Sequence, residues 1–126
     1  MTVALDRQVA RALERGHRID ITTTGRRSGL PRRIELVFHN VDGRILISGK
    51  PGFPRAWIAN LRANPEMTFH LKGPMATADL PARGRVITDV VERRALLGPI
   101  AAAWGYPLET MVTGSPLIEV TFRDGA

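Results

Sequence analysis

The 126-residue sequence contains no cysteine, so neither a disulfide nor a thiolate metal site can form. Its three histidines are scattered, and none has a carboxylate at the spacing of a metal motif, so no metal site is expected. The chain has few aromatic residues, two Trp, one Tyr and four Phe, which disfavours a nucleic-acid surface built on base stacking. It also lacks an apolar run long enough to span a membrane and the apolar block of a signal peptide, so we expect a cytoplasmic protein.

What the chain does contain is enough apolar sequence for a core and an unevenly placed basic charge. Apolar residues make up 44% of the sequence, and we predict one domain over residues 1–126. The net charge is +6, and residues 1–33 hold eight arginines against three acidic residues, a balance of +5. Such a concentration is typical of contact with a nucleic acid, an anionic membrane surface or an acidic small ligand.

The stretch from Gly25 to Arg33 concentrates that charge in one tight connection. It reads Gly-Arg-Arg-Ser-Gly-Leu-Pro-Arg-Arg, with four arginines, a hydroxyl and two glycines. Glycine lets backbone N–H groups approach a ligand closely, and successive N–H groups can form an anion-binding hollow. Arginine adds a planar fork that matches phosphate and carboxylate. These residues alone leave two interpretations open, a site for a polyanionic ligand or a solvated hairpin turn.

Hydrophobic periodicity predicts a mainly β chain with flanking helices. A period of two indicates strands over 18–24, 33–40, 45–47, 67–72, 75–80, 83–87 and 117–122, with a bend near Pro81. Helical spacing indicates helices over 3–15, 55–63 and 89–104, the first of them basic and the last kinked or divided at Gly98-Pro99. Residues 105–116 are predicted to be irregular. The antiparallel strands predict a small closed or split barrel with an open mouth for a planar ligand.

A second glycine-containing loop, residues 48–54, carries Lys50, one of the two lysines. Asp42-Gly43 predicts a tight turn between the second and third strands. In such an up-and-down meander the first and third strands end at the same edge of the sheet. The two cationic loops should therefore converge there, which favours the anion-site interpretation.

The sequence shows no nucleophile, base and acid at a recognisable spacing, and no pair of acids suited to general acid–base work. If the protein is an enzyme, a bound cofactor is expected to carry the reaction while the protein supplies orientation.

Two motifs give the chain a family resemblance. Residues 22–32, Thr-Thr-Thr-Gly-Arg-Arg-Ser-Gly-Leu-Pro-Arg, resemble the phosphate-side motif of the deazaflavin (F420)-dependent nitroreductase and quinone reductase family. Residues 48–52 together with 56–65 resemble that family's second motif. The resemblance covers residues 18–72. It implies an antiparallel split β-barrel of the FMN-binding-like type and the cofactor coenzyme F420, a deazaflavin with a phosphodiester and an oligoglutamate tail.

The resemblance also implies roles for individual residues. The phosphate and tail would be held by Arg26, Arg27, Ser28, Arg32 and Lys50. The deazaflavin ring would be lined by Ser48, Gly49 and Gly52. We expect an acceptor pocket formed by Trp104, Tyr106 and Met111, with Tyr106 the candidate proton donor. We expect structural roles for Trp57 and Asn60.

The implied activity is hydride transfer from reduced F420 to an electron-poor small molecule, namely a quinone, an enone or a nitro compound. Flavin mononucleotide or haem on the same barrel is the alternative cofactor, although four loop arginines exceed the needs of one phosphate. The alternative function is a non-enzymatic carrier of a fatty acid, lipid or flavin-type ligand. A homodimer and a peripheral membrane contact are both left open.

Overall fold

Six antiparallel strands follow one another around a closed barrel. The computed structural model describes residues 7–16, 18–52, 55–73 and 77–123. Within these ranges the elements are α1 (Arg7–Arg15), β1 (Arg18–Thr24), β2 (Pro31–Val41), β3 (Arg44–Ser48), α2 (Ala56–Ala63), β4 (Glu66–Lys72), β5 (Thr77–Val86), α3 (Val90–Trp104), α4 (Leu108–Gly114) and β6 (Leu117–Phe122). The strand order is β1-β2-β3-β6-β5-β4, and β4 pairs back onto β1. The predicted split β-barrel with flanking helices is confirmed.

Tight local turns produce the β1-β2-β3 meander. At the β2–β3 turn, Asp42 and Gly43 have φ angles of 53° and 85°, as the predicted Asp-Gly hairpin requires. The Asn40 side-chain oxygen accepts a hydrogen bond of 2.8 Å from the Gly43 N–H and closes the turn. Because β1 and β3 both run antiparallel to β2, they end at the same edge of the barrel. That edge carries the two glycine-containing loops.

The barrel interior is filled by alternate residues of every strand. Phe38, Phe69 and Phe122 meet edge to face, with ring centroids 5.3 and 5.1 Å apart for the two successive pairs. A second apolar cluster forms where α3 and α4 cover the outside of β3 and β6. Leu46 faces that outer cluster, whereas Ile45 and Ile47 face the interior. The unbroken apolar run at 45–47 is thus explained by burial on both faces of β3.

The predicted break near Pro81 is wrong, because β5 is one strand that passes through it. Pro81 lies opposite Thr68 of β4. Its carbonyl oxygen accepts a hydrogen bond of 3.0 Å from the Arg123 N–H, so its polar backbone side faces the end of β6. The missing proline N–H therefore removes no hydrogen bond to β4. Residues 75 and 76 of the predicted strand lie outside the described residues.

Two further predictions are corrected in the helical region. The helix α3 continues through Gly98-Pro99 to Trp104 as one element with a buried inner face on both sides of Pro99, so its predicted division there is wrong, whereas the predicted kink stays a prediction. Residues 105–116, predicted to be irregular, contain the helix α4. Gly105, at φ 75°, ends α3, and Pro107 then starts the short α4. Seven residues are too few for a helical period to show in the sequence.

The amino-terminal helix is observed over Arg7–Arg15, and the predicted residues 3–6 lie outside the described residues. Its buried side is formed by Val9, Ala12 and Leu13, while its arginines face outward. Among the described residues, no helix combines the length and the apolar character needed to cross a bilayer.

Candidate cofactor site

The arginine-rich connection between β1 and β2 is a closed loop held by its own backbone. The Gly25 N–H donates to the Leu30 carbonyl, and the Gly29 N–H donates to the Gly25 carbonyl, both at 2.8 Å. Gly29 has a φ of 70°, which favours glycine. A Cβ on Gly25 would lie 2.6 Å from the Ser28 Oγ, so glycine is also required there. These bonds fix the path of the loop backbone between Gly25 and Leu30.

Asn60 of α2 anchors this loop to the barrel. Its side chain is 4% exposed, and its Oδ1 accepts hydrogen bonds from the backbone N and the Nη1 of Arg26, at 3.1 and 3.3 Å. Its Nδ2 donates to the buried Thr23 Oγ1 at 3.3 Å. These hydrogen bonds agree with the structural role predicted for Asn60. By contrast, the N–H groups of Arg27 and Ser28 have no partner among the described residues.

An open cavity of about 590 Å³ lies between this loop and the start of α2. We call it the arginine cavity. Its lining combines cationic and polar residues with apolar ones, among them Trp57. Its lining residues are Gly25, Arg26, Arg27, Ser28, Arg32, Ile34, Arg55, Ala56, Trp57 and Asn60. Trp57 is buried and belongs to the barrel core as well, so the predicted packing role holds while its edge borders the cavity.

The loop arginines of this cavity differ from other arginines of the barrel in their ion pairs. Arg26, Arg27 and Arg32 form no ion pair with a carboxylate of the described residues. Arginines elsewhere on the barrel do so, for instance Arg33 with Asp20 at 2.9 Å and Arg44 with Glu119 at 2.8 Å. Three guanidinium groups without a carboxylate partner among the described residues lie around one cavity, and a ligand with several negative charges would supply such partners. Arg33 is exposed on the outer face of β2 and is not part of the cavity lining.

The second loop reaches the arginine cavity through Arg55. The Arg55 Nη2 donates to the Lys50 carbonyl at 2.8 Å, and a Cβ on Gly49 would lie 2.8 Å from the same nitrogen. Partial burial lowers the pKa of the Arg55 guanidinium. Because Arg55 also lines the arginine cavity, the two loops converge as the strand order predicts.

Comparison with known proteins decides the family. Residues 2–113 match the family model described as F420H(2)-dependent quinone reductase. The chain belongs to this family. Its cofactor is coenzyme F420, and the protein is an oxidoreductase.

Solved structures of low identity share the fold of this F420-dependent reductase. A conserved hypothetical protein from Mycobacterium tuberculosis is 14% identical with a TM-score of 0.74, over 97% of this chain and 82% of that one. An F420-H2 dependent reductase, FDR-A, is 22% identical with a TM-score of 0.60, over 82% of this chain and 93% of that one. A protein described as a domain-swapped dimer is 22% identical with a TM-score of 0.59, over 90% and 94%.

The chemistry of the arginine cavity fits coenzyme F420. The phosphodiester and glutamate carboxylates of F420 need several cationic partners, and the cavity has Arg55 together with three arginines that pair with no carboxylate of the described residues. The unpartnered N–H groups of Arg27 and Ser28 add neutral donors of the kind that bind phosphate oxygens. The apolar side of the cavity, at Trp57, suits a flat ring system.

The residues expected to line the deazaflavin ring in this reductase lie beside the arginine cavity and are not part of its lining. Ser48 is buried, and its Oγ donates to the Pro116 carbonyl at 2.7 Å. The Gly52 N–H donates to the Gly114 carbonyl at 3.0 Å. These bonds tie the second loop to the α4–β6 connection. The roles of Ser48, Gly49 and Gly52 at the ring, and of Lys50 at the phosphate and tail, therefore stay predictions.

The expected acceptor residues lie in the outer apolar cluster. Met111 is 0% exposed, and Trp104 and Tyr106 pack around the same cluster. Trp104 also contacts His39, with ring centroids 5.4 Å apart. The structure brings none of these three to the arginine cavity, so their place at an acceptor site, and Tyr106 as proton donor, stay predictions without structural support.

The structure also assembles a polar chain that the sequence did not reveal. The Thr22 Oγ1 and His70 Nε2 are 2.7 Å apart, and the His70 Nδ1 is 2.7 Å from the Asp79 Oδ1. The three residues come from β1, β4 and β5, whose outer faces meet only in the closed barrel. Hydrogen bonds to both ring nitrogens satisfy the buried imidazole. The residues lie too far apart in the sequence for any motif to have indicated this.

Proposed function

We propose that this F420-dependent oxidoreductase reduces a quinone, with the polyanionic part of the cofactor held in the arginine cavity. The residues that would hold the phosphodiester and tail are Arg26, Arg27, Ser28 and Arg32. The observation that supports this assignment is the group of loop arginines without carboxylate partners around a cavity of about 590 Å³. When bound, the reduced deazaflavin supplies a hydride from C5, and with one proton from solvent a quinone becomes a hydroquinone while the cofactor is oxidised.

The protein's own contribution is binding and orientation. The loop is held in one shape by Asn60 and by its internal hydrogen bonds, so little conformational entropy is lost when an anion binds. Guanidinium forks give directional, charge-assisted hydrogen bonds to phosphate and carboxylate. Trp57 supplies a rigid apolar surface that excludes water from one side of the cavity. Together these features position a cofactor without taking part in bond making.

The test is a fluorescence titration of the purified protein with oxidised F420, comparing wild type with the double variant Arg27→Ala, Arg32→Ala. The matched control is Arg18→Ala, Arg83→Ala, which removes the same charge from two arginines that pair with Glu35 and Glu66 outside the cavity.

We expect the loop variant to weaken F420 binding at least 100-fold and the control to change it less than threefold. Equal weakening in both variants would show that the loop arginines act only through the net charge of the protein. That outcome would refute the proposed site. Turnover of a quinone, an enone and a nitro compound by the wild-type holoenzyme then tests the acceptor class.

We also propose that residues 1–126 form a single domain and that the protein forms a homodimer. One barrel includes every strand of the described residues, which supports the first proposal. The likeness to a domain-swapped dimer supports the second, and light scattering on the purified protein tests it. A peripheral membrane contact and a cytoplasmic location stay predictions from the sequence.

A further inference from the structure

A separate cavity of about 340 Å³ lies where the end of β1 meets the start of β4. Its lining includes three threonines, Thr22, Thr24 and Thr68, together with Glu66 and Arg123. We call it the threonine cavity. Its volume is within the range of cavities that hold small molecules. The mostly polar lining suits a small ligand that has oxygen atoms to hydrogen-bond.

One of these threonines, Thr22, belongs to the polar chain on the outside of the barrel. Its Oγ1 is 2.7 Å from the His70 Nε2, and the His70 Nδ1 is 2.7 Å from the Asp79 Oδ1. Because a carboxylate only accepts hydrogen bonds, the neutral imidazole carries its proton on Nδ1, and its Nε2 accepts from the Thr22 hydroxyl. Hydroxyl, imidazole and carboxylate therefore follow one another in the order that activates a hydroxyl as a nucleophile.

The imidazole is held in this orientation by its surroundings. His70 is 8% exposed, although it belongs to the outer face of β4. A second carboxylate, that of Asp20, lies opposite His70 in the β1–β4 register. Asp20 accepts hydrogen bonds from the Lys72 Nζ at 2.7 Å and from the Arg33 Nε at 2.9 Å. Its oxygens are thus engaged, which leaves Asp79 to accept the Nδ1 proton.

The threonine cavity also contains donors for a negatively charged oxygen. Thr68 lies directly opposite Thr22 in the β1–β4 register, and its residue is part of the same lining. The Arg123 Nη1 donates to the Glu66 Oε1 at 3.0 Å, and the guanidinium has further N–H groups. Donors beside a nucleophile stabilise the oxyanion that forms when a carbonyl carbon is attacked. A nucleophile, a base and oxyanion donors therefore meet at one cavity.

We propose that Thr22, His70 and Asp79 form a second active site, which hydrolyses a small carboxylic ester bound in the threonine cavity. The Thr22 Oγ1 attacks the ester carbonyl carbon while its proton passes to the His70 Nε2. The bond from that carbon to the alcohol oxygen then breaks, and the alcohol takes the proton from Nε2.

The second half of the reaction restores the enzyme. Water attacks the carbonyl carbon of the Thr22 ester and gives its proton to the His70 Nε2. The carboxylic acid leaves as the Thr22 oxygen takes that proton back. An ester and water thus become an acid and an alcohol with no change of oxidation state. Asp79 is a positioning residue, because it acts only through the imidazole.

The experiment measures hydrolysis of p-nitrophenyl acetate by the purified full chain and its variants Thr22→Val, His70→Gln and Asp79→Asn. The matched control is Thr24→Val, which makes the same change two residues along β1 on the same lining, at a hydroxyl outside the polar chain. Wild type is also treated with diisopropyl fluorophosphate, which phosphorylates activated hydroxyl groups, and the labelled residue is located by mass spectrometry. The Kd for oxidised F420 is measured for each variant as a check on its fold.

We expect Thr22→Val and His70→Gln to lower kcat by about 100-fold or more. The Asp79 side chain is 76% exposed, so water weakens its effect, and Asp79→Asn should lower kcat about tenfold with KM unchanged. Thr24→Val should match wild type, the F420 Kd should stay the same throughout, and the phosphoryl label should be on Thr22.

Three results would overturn the proposal. The first is hydrolysis that persists in Thr22→Val and is lost in His70→Gln, since the imidazole would then act without the hydroxyl. The second is a label on a residue other than Thr22, which needs no variant to detect. The third is a wild-type protein that neither hydrolyses the ester nor takes up the label.

Discussion

Asn60 determines the shape of the arginine loop, and its removal should weaken both the fold and cofactor binding. Its Oδ1 accepts from the Arg26 backbone N–H, and its Nδ2 donates to Thr23, which is 2% exposed. In Asn60→Ala the Thr23 hydroxyl stays buried without that partner, whereas the exposed Arg26 groups turn to water. One unsatisfied buried group costs about 1–3 kcal/mol. We expect a loss of about 2 kcal/mol in the free energy of unfolding, or roughly 8 °C in Tm.

The consequence for binding follows from the same contacts. Without Asn60 the loop is no longer tied to α2. Binding of an anionic ligand must then also order Arg26 and its neighbours, and the loss of their conformational entropy weakens binding. We expect the Kd for F420 to rise about tenfold, which corresponds to roughly 1.4 kcal/mol. Stability is measured by urea unfolding and the Kd by fluorescence titration, at a temperature where every variant is folded.

The matched control is Asn64→Ala at the end of the same helix. The Asn64 Oδ1 accepts a hydrogen bond of 3.0 Å from the Glu66 N–H, away from the arginine cavity. This variant should lose stability without losing F420 affinity. In a double-mutant cycle, Asn60→Ala should cost less stability in a Thr23→Val background, because that background lacks the Thr23 hydroxyl that would otherwise be buried without a partner. An Asn60→Ala protein that binds F420 like wild type would refute the role assigned to Asn60.

Two other outcomes are expected. Contacts with Arg44 and Arg85 lower the pKa of Glu119 from 4.5 to about 2, so its ion pairs add about 2 kcal/mol above pH 4.5 that is lost as the pH falls toward 2. Urea unfolding from pH 6 to pH 2.5 should show this loss, and Glu119→Gln should make it smaller by the Glu119 contribution, since Asp20, Glu35, Glu92 and Glu109 also have lowered pKa values. An unchanged pH profile in the variant would contradict the assignment. Gly84→Ala should destabilise the protein by about 1–3 kcal/mol, because its Cβ would lie 3.2 Å from a Leu61 methyl of α2. A stability equal to wild type in chemical denaturation would show that the side chains of Leu61 and Ile118 move aside without cost.

The sequence predicted the parts of the candidate site that depend on charged and turn residues close together in the chain. The glycines and arginines of residues 25–32 indicated an anion site before any contact was known, and the order of β1 and β3 indicated that two loops converge. The part played by Arg55 was not predictable, because its link to Lys50 and Gly49 depends on how α2 returns across the barrel edge. The contact of Ser48 was not predictable either, because its hydroxyl donates a hydrogen bond to the Pro116 carbonyl, which is remote in the sequence.

By itself the sequence determined the elements whose signal repeats within a few residues. Alternation predicted the strands, Asp42-Gly43 predicted a hairpin, and the two loop motifs indicated the family. Only the tertiary structure decided the features that need contacts between remote segments. It made β5 continuous through Pro81, linked α4 to α3 through Arg93, and buried the Ser115 hydroxyl without a hydrogen-bond partner among the described residues. The physical reason is that periodicity reports which face of an element is buried, whereas the partner that buries it is chosen by the closure of the barrel.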